Sequence, residues 1–534
     1  MTAEARTELP ADLLGAPSVP LDGAQLGDLE LLLSGAFRPL DGFMCAADVT
    51  AVADRGTLAN GTPWPVPVTL DIRAGAVPAD AQRVVLADPE GAPLAVLEIT
   101  GRSDVAASSR GVAAADGAGI RLARLCGRVH ALRDPEHGPF RRLMLTPAQA
   151  RSALGAGPVL AYATRAPLHS RQIGQLRHMA GQLKARLLVL PLVAGQAQVV
   201  TRPEALIRAV LAAAAHLPQG TMVIPVPLAP RGPGAGTGPD RELSVRALVA
   251  AAYGASHLMV DAPTGTDTAA PGGGAIPGGP GFAIPVVRAG DWAYDPRAEV
   301  WRPLALIEAG TEQDDLSPDQ LCDLLDAGAE VPAWFTPPAV ARELRRARPP
   351  RAERGFVVFL TGLSGSGKST IARNLADLLA ERGDRKVSLL DGDLVRQLLS
   401  AGLTFSRADR DLNIMRIGFV AAEIARHGGI AICAPIAPYA AARARVREMV
   451  SEAGDFLLVH VATPAPVCEA RDRKGLYAKA RAGLIEHFTG VSDPYEEPRD
   501  ADLIIDTSAM TREQAAQAVL DMLTSGGWLS APAG

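Results

Sequence analysis

Gly362-Leu363-Ser364-Gly365-Ser366-Gly367-Lys368-Ser369-Thr370 follows a short apolar run, Phe356 to Leu360, and precedes Ile371 to Arg382, where apolar side chains recur at helical spacing. The stretch fits G-x-x-x-x-G-K-[ST], and strand, glycine loop and helix are the context that makes the match a phosphate site. Glycines let backbone N–H groups approach phosphate oxygens, and the helix N-terminus adds its positive dipole end. Lys368 is placed to reach the β/γ-phosphates and the Ser369 hydroxyl to hold Mg²⁺. Without its flanking elements the stretch would be only a Gly/Ser turn with a lysine.

The chain has 534 residues, 48% hydrophobic and 21% charged, with net charge −5. That is a soluble composition, long enough for about three or four domains at ~150 residues each. No basic excess marks a nucleic-acid surface. No apolar run reaches the ~18 residues of a membrane span, and Met1 to Arg6 lacks the basic and apolar regions of a signal peptide. Cys45, Cys126, Cys322, Cys433 and Cys468 are scattered, with no C-x-x-C pair. They read as reduced thiols of a cytoplasmic protein, neither a disulfide frame nor a zinc site.

Residues 1–155 read as β-rich, with strand-like runs at Val66 to Ile72, Arg83 to Ala87 and Leu94 to Ile99. Over 156–348, strands at Gly157 to Tyr162, Ala185 to Leu190, Thr221 to Val226 and His257 to Val260 alternate with helical stretches, which predicts a parallel α/β sheet. Pro/Gly-rich segments, Ala229 to Pro239 and Pro263 to Gly281, read as mobile loops. Residues 349–354 read as a linker, and 355–534 as a doubly wound α/β domain with a lid over Lys474 to Asp500.

In such a sheet the P-loop, Asp391 and the loop after Ala434 fall on one edge, beyond the carboxyl ends of the strands. Asp391 can accept a proton from an acceptor hydroxyl or hold Mg²⁺ through water. The bland alternative is a helix cap, a role that suits Asp393 better for a helix beginning at Leu394. Arg396, Arg407, Arg410 and Arg416 carry forks suited to phosphate or sulfate oxygens, although each alone reads equally as a solvated arginine. Phe405 and Phe488 are polar-flanked aromatics, fit for a core or for a purine sandwich.

Asp391-Gly392-Asp393-Leu394-Val395-Arg396 resembles the D-G-D-x-[VI]-R segment of adenylyl-sulfate kinases. Thr404 to Ile417 is similar to their G-F-S-x-x-D-R-x-x-N-I-x-R-I segment, with Thr404 for the glycine. Ala437-Pro438-Tyr439 resembles their [SA]-P-Y loop. Lys474 to Arg481, Phe488-Thr489-Gly490 and Asp493-Pro494-Tyr495-Glu496 resemble their lid. The resemblance covers nearly all of 355–510. It implies MgATP-dependent phosphorylation of the ribose 3′-hydroxyl of adenosine 5′-phosphosulfate, giving 3′-phosphoadenosine 5′-phosphosulfate for sulfate assimilation. By the same resemblance Phe405 and Phe488 sandwich the acceptor adenine. Arg396, Arg410 and Asn413 hold its phosphosulfate and ribose, Lys474 closes over it, and Asp391 orients or deprotonates the hydroxyl. Ala437 replaces a serine found in some members, which favours direct in-line transfer over a phospho-enzyme. Kinases of this kind are commonly dimeric, so a homodimer is expected.

Ser34 to Met44 resembles the G-x-F-[ST]-P-L-x-G-F-M opening of ATP sulfurylases. Glu242 to His257 is similar to their helix and G-C-T-H strand, and Val331 to Phe335 to their I-P-E-W-F. This implies a β-rich PUA-like domain followed by a nucleotidyltransferase-like α/β domain. The catalytic segments depart. Q-T-R-N-P-x-H-x-x-H is represented by Ala163 to Gln172, retaining Arg165 and His169. G-R-D-H-A-G is represented by Asp261 to Thr266, and S-G-T by Ser317-Pro318-Asp319. Sulfate adenylylation needs donors for charge at the α-phosphate, and removing one such donor alone costs roughly 100- to 1000-fold. The N-terminal half therefore reads as a degenerate sulfurylase, for scaffolding, nucleotide sensing or dimerisation. A bifunctional enzyme that also makes adenosine phosphosulfate is the alternative. A regulatory subunit for a separate sulfurylase is the non-enzymatic one.

Overall fold

The computed structural model describes residues 10–105, 121–133, 139–194, 202–231, 239–261, 275–276, 283–383, 385–404, 406–472, 475–485 and 487–530. The chain divides into two compact units, one of residues 1–322 with 331–347, the other of 323–330 with 348–534.

The first unit contains two sheets. In the mixed sheet the order is Ser18–Pro20, Arg83–Ala87, Pro93–Val105, Leu122–Ala131 and Gly42–Phe43, with Leu70–Arg73 also paired to Leu122–Ala131. The run expected over Val66 to Ile72 is therefore a strand only from Leu70. The second sheet runs Ala275–Ile276, Val286–Arg288, His257–Val260, Val159–Thr164, Arg186–Pro191, Met222–Val223. It is parallel apart from Ala275–Ile276. Continuous apolar runs suit strands covered on both faces, and Val159–Thr164 is buried at every position. The strand expected over Thr221 to Val226 shortens to Met222–Val223, although the Ile224 and Val226 amides still donate to the Val189 and Pro191 carbonyls of the neighbouring strand at 3.0 and 2.8 Å. One hydrophobic core runs from Val19 through Trp64, Leu97 and Leu125 to Ala161, Leu188 and Val286, so the β-rich and α/β parts are not separately cored. The loops expected at Ala229 to Pro239 and Pro263 to Gly281 lie largely outside the described residues.

The cysteine reading is corrected. Cys45 and Cys126 form a disulfide across 81 residues. The antiparallel register pairs Phe43 with Gly127, which brings the neighbouring Cys45 and Cys126 together; linear spacing held no trace of that pairing. Cys322 is half-buried and Cys433 and Cys468 are buried as free thiols.

The second unit is a five-stranded parallel sheet ordered Val387–Leu390, Ile430–Cys433, Phe356–Thr361, Asp455–Val461, Leu503–Ile505. Helices Lys368–Arg382 and Arg512–Ser525 cover one face through Ile371, Leu375, Leu379, Val519 and Leu523. Helices Arg407–Arg426 and Ala440–Ser451 cover the other through Ile414, Ile417, Ala421, Val446 and Val450. The segment read as a linker is engaged within this unit. Arg348, Arg351 and Arg354 all pair with Asp326, and Arg351 also lies over the Trp528 ring at 4.9 Å. Among the described residues no helix is long and apolar enough to cross a membrane.

Candidate active site

Strand Phe356–Thr361 is buried throughout and delivers the P-loop to the carboxyl edge of the sheet. Gly362 and Gly365 have φ of 150° and 79°. A side chain on Gly362 would meet the Val461 carbonyl oxygen at 2.4 Å, and one on Gly365 the Cys468 carbonyl oxygen at 2.7 Å. The loop thus needs glycine for close backbone approach as well as for conformation. Thr463 and Thr507 hydroxyls donate to the Ser366 carbonyl at 3.0 and 2.9 Å and fix the loop from beneath. Among the described residues the amides of Gly365, Gly367 and Ser369 have no acceptor. A nest of such N–H groups at a helix N-terminus is an anion site. Lys368 is buried, and its Nζ donates to the Gly362 and Leu363 carbonyls at 2.9 and 2.7 Å. Ser369 stands half-buried in the first turn of the same helix.

Asp391 follows strand Val387–Leu390 on the same edge and is buried, with Arg373 Nη2 at 3.4 Å from its Oδ2. The capping assignment is corrected here. The next helix is Gly392–Leu398, so it begins two residues earlier than expected, and Asp391, not Asp393, precedes its first residue. Val395 N–H donates to the Asp391 carbonyl at 3.0 Å, the first bond of that helix. Asp391 therefore holds the cap position while its carboxylate lies beside Arg373.

Ser406 caps helix Arg407–Arg426. Its first turns carry Arg410 and Asn413, both buried. Arg410 Nη1 donates to Thr489 Oγ1 at 3.0 Å, and Nη2 to Tyr439 Oη at 2.8 Å and to the Asp493 carboxylate. Arg410 Nε and Asn413 Oδ1 are buried without a partner among the described residues. Residues three apart share a helix face, so one face presents an unmatched donor and an unmatched acceptor. Arg407 stacks on the other ring contact of Tyr439, 4.4 Å from its centroid. Arg396 Nη1 reaches the Thr404 carbonyl at 3.3 Å, whereas Arg416 binds the Leu399 carbonyl at 2.7 Å and is a structural tie.

The expected lid contains helix Leu476–Arg481 and the turn Phe488 to Asp493. Tyr477 Oη donates to the Ser364 carbonyl at 2.9 Å, which joins the lid to the P-loop. Phe488 is buried edge-on against Tyr477, with centroids 5.0 Å apart, in a cluster that includes Leu363 and Cys468. Its ring therefore has a structural neighbour within the lid. Phe405 and Lys474 lie outside the described residues. Tyr439, Thr489 and Asp493 were missed as individual site residues. Only their contact with Arg410, 29, 79 and 83 residues away, reveals them.

The first unit offers a different edge. Arg165 Nη1 donates to the Ala194 carbonyl at 2.7 Å, and Nη2 lies 3.5 Å from Glu242. His169 is the N-cap of helix Ser170–Leu183. Its ring stacks on Phe335 at 4.3 Å, and Nδ1 lies 3.1 Å from Thr336 Oγ1. Desolvation, with Arg171 nearby, holds its pKa down at about 3, so the imidazole is neutral near pH 7. Arg231 forms a fork on Asp28 at 2.6 and 2.9 Å, and Arg241 binds the Val52 and Ala53 carbonyls. Ser317 and Gln320 cap each other, at 3.1 Å and 2.8 Å, at the start of helix Pro318–Asp326. Ala262, Pro263 and Thr264 lie outside the described residues.

Fold and edge together define the second unit as a P-loop nucleotide-binding unit. Comparison with known families agrees. PUA-like domain, ATP-sulfurylase and adenylylsulphate kinase match residues 1–108, 141–347 and 354–506. A sulfate adenylyltransferase of Phaeosphaeria nodorum is 37% identical over 99% of this chain and 97% of its own. One from Mycosarcoma maydis is 36% identical over 98% and 96%. A solved structure described as a hexameric APS kinase from Thiobacillus denitrificans is 34% identical, covers 97% of this chain and 95% of its own, and superposes with a TM-score of 0.72. The chain belongs to the sulfate adenylyltransferase family and carries an adenylylsulphate kinase domain at its C-terminal end.

Proposed function

We propose that this chain is an adenylyl-sulfate kinase that transfers the γ-phosphoryl group of ATP to the 3′-hydroxyl of adenosine 5′-phosphosulfate, and that its sulfurylase-like half does not adenylylate sulfate. The observation that carries the kinase reading is the unmatched pair, Arg410 Nε and Asn413 Oδ1, buried on one helix face in the unit that holds the P-loop. A buried donor and acceptor left unpaired cost free energy, roughly 1–3 kcal/mol each, unless a ligand completes them. A nucleotide bearing both anionic oxygens and ribose hydroxyls does so.

The residues have distinct roles in this reading. The Gly362–Thr370 loop receives the ATP phosphates, and Lys368 shifts from its own loop carbonyls to the transferring group. Asp391 accepts the hydroxyl proton as the oxygen attacks phosphorus in line. Arg396, Arg410 and Asn413 hold the acceptor, with Phe405, Phe488 and Lys474 completing its site. Ala437 has no hydroxyl, which leaves no phospho-enzyme at that position. Mg²⁺ fits this arrangement: Ser369 stands in the first turn of the P-loop helix and Asp391 on the same sheet edge, and Mg²⁺ usually relies on substrate phosphates plus one or two protein oxygens. Ser369 is the hydroxyl to hold it, and the ion supplies charge neutralisation on the phosphate oxygens. ATP as co-substrate supports a cytoplasmic location. The hexameric Thiobacillus denitrificans neighbour supports a homo-oligomer without favouring a dimer.

The inactive-sulfurylase reading rests on the retained residues. Arg165 and His169 are tied to Ala194, Glu242, Phe335 and Thr336. The bifunctional reading is supported by the ATP-sulfurylase family match over residues 141–347 and by the name that the full-length relatives carry. Supplying purified protein with MgATP and adenosine 5′-phosphosulfate tests the kinase. ADP release that depends on the acceptor is expected, and its absence overturns the reading.

A further inference from the structure

Arg410 is held from three directions. Thr489 and Asp493 are the two ends of one tight turn, in which the Val491, Ser492 and Asp493 amides all donate to the Phe488 carbonyl and Gly490 N–H donates to the Asp493 carbonyl at 2.8 Å. Tyr439 stands on the other side, beyond the carboxyl end of strand Ile430–Cys433. Together they engage Nη1 and Nη2 and leave Nε without a partner among the described residues. A guanidinium gripped by its outer nitrogens has its remaining N–H fixed in direction, with little rotamer freedom left to lose on binding.

We propose that Thr489, Tyr439 and Asp493 form a socket that aims Arg410, and that Asp493 is the positioning residue through which the lid turn sets the acceptor's affinity. The inference rests on the acceptor reading given above. Asp493 touches the guanidinium, not the acceptor, and acts through Arg410. The carboxylate is well placed to stay charged. Burial pushes its pKa up, but bonds from Arg410 and from His487 Nδ1 at 3.3 Å outweigh that and hold it below the usual carboxylate value. Phe488, immediately before this turn, packs on Tyr477, and Tyr477 is bonded to the P-loop carbonyl of Ser364. A side chain on Gly490 would meet Leu363 of the P-loop at 2.9 Å, so the turn lies directly against that loop. The socket therefore joins the anion-binding arginine, the lid and the P-loop in one chain of contacts.

The test is calorimetric binding of adenosine 5′-phosphosulfate to the full chain in the presence of ADP, for the wild type, Asp493→Asn and Tyr439→Phe. Asp493→Asn keeps the shape and removes the charge, so the charge-assisted grip is lost. Acceptor Kd should rise about tenfold, the equivalent of losing one such bond, while ADP affinity and melting temperature stay near those of the wild type. Tyr439→Phe should raise it by a smaller factor, about threefold. An unchanged acceptor Kd in Asp493→Asn overturns the proposal. So does a parallel loss of ADP affinity and melting temperature, which marks Asp493 as only structural. Failure of the wild type itself to bind the acceptor rejects the acceptor reading on which the proposal stands.

Discussion

Two loops in this chain leave the carboxyl end of a fully buried parallel strand. One follows Phe356–Thr361 and the other follows Val159–Thr164. In the first, amides of Gly365, Gly367 and Ser369 have no acceptor among the described residues, and the fixing bonds come from beneath, through Thr463 and Thr507. In the second, the cationic groups are turned to the protein's own carbonyls, carboxylates and rings: Arg165 to Ala194 and Glu242, His169 to Phe335 and Thr336. The same strand–loop–helix architecture serves both. The two edges differ in their backbone donors and in Arg165 and His169, but the division is not complete: Lys368 Nζ is also held by loop carbonyls, and Arg231 Nε and Glu242 Oε2 of the first unit are buried without a partner among the described residues.

The strongest way to break that contrast is at Lys368. Lys368→Ala should reduce phosphoryl transfer by about 10³-fold or more, since clamps on transferring charge carry several kcal/mol. The fold should persist, because the lysine's partners are loop carbonyls that water can reach once it is gone. Wild-type turnover in that variant would remove the phosphate site from the P-loop.

Asn413→Ala sharpens the contrast within the second unit. It deletes an acceptor atom that has no partner among the described residues, so stability should change little while acceptor KM rises about tenfold. A large loss of stability with unaltered KM would place Asn413 in the core instead.

On the other edge the order of effects should invert. His169→Ala removes a ring stacked on Phe335 and a hydrogen-bond partner of Thr336. It should cost about 1–2 kcal/mol of stability, read as faster amide exchange in helix Ser170–Leu183, and leave kinase kcat alone. A fall in kcat with unchanged exchange would contradict a structural role.

The smallest effect concerns Glu30, half-buried on helix Gly23–Leu33, whose carboxyl is pushed up to about 7 by desolvation. A raised folded pKa means the unfolded chain releases this proton first as pH rises. The group's contribution is intact below the model-peptide value of 4.5 and is lost as pH rises through 7. Glu30→Gln should therefore match the wild type near pH 4.5 and exceed it in melting temperature above pH 7. Equal melting temperatures at both ends would show that Glu30 is solvated.

Much of the second unit was legible from linear order. The Gly362 to Thr370 spacing between strand and helix, the doubly wound sheet and the placement of Asp391 on one edge follow from local pattern. Helix Gly392–Leu398 begins earlier than Asp393 suggests, because helix starts are set by backbone bonds and not by the nearest capping residue alone. Contacts of long sequence separation were not legible. The Cys45–Cys126 disulfide depends on strand register, and the grip of Thr489 and Asp493 on Arg410 depends on where the lid turn folds. In the first unit the altered segments could be read residue by residue, but the engagement of Arg165, Arg231 and Arg241 with the chain itself required coordinates.

The central claim is that one edge reacts and the other does not. The direct measurement is pyrophosphate release from MgATP by the full-length protein with molybdate, which gives an unstable adenylate so that turnover does not stall, set beside ADP release with adenosine 5′-phosphosulfate. Acceptor-dependent ADP release is expected, with no molybdate-dependent pyrophosphate release above background. Pyrophosphate release at a rate comparable to the kinase's would contradict the central claim and make the chain bifunctional.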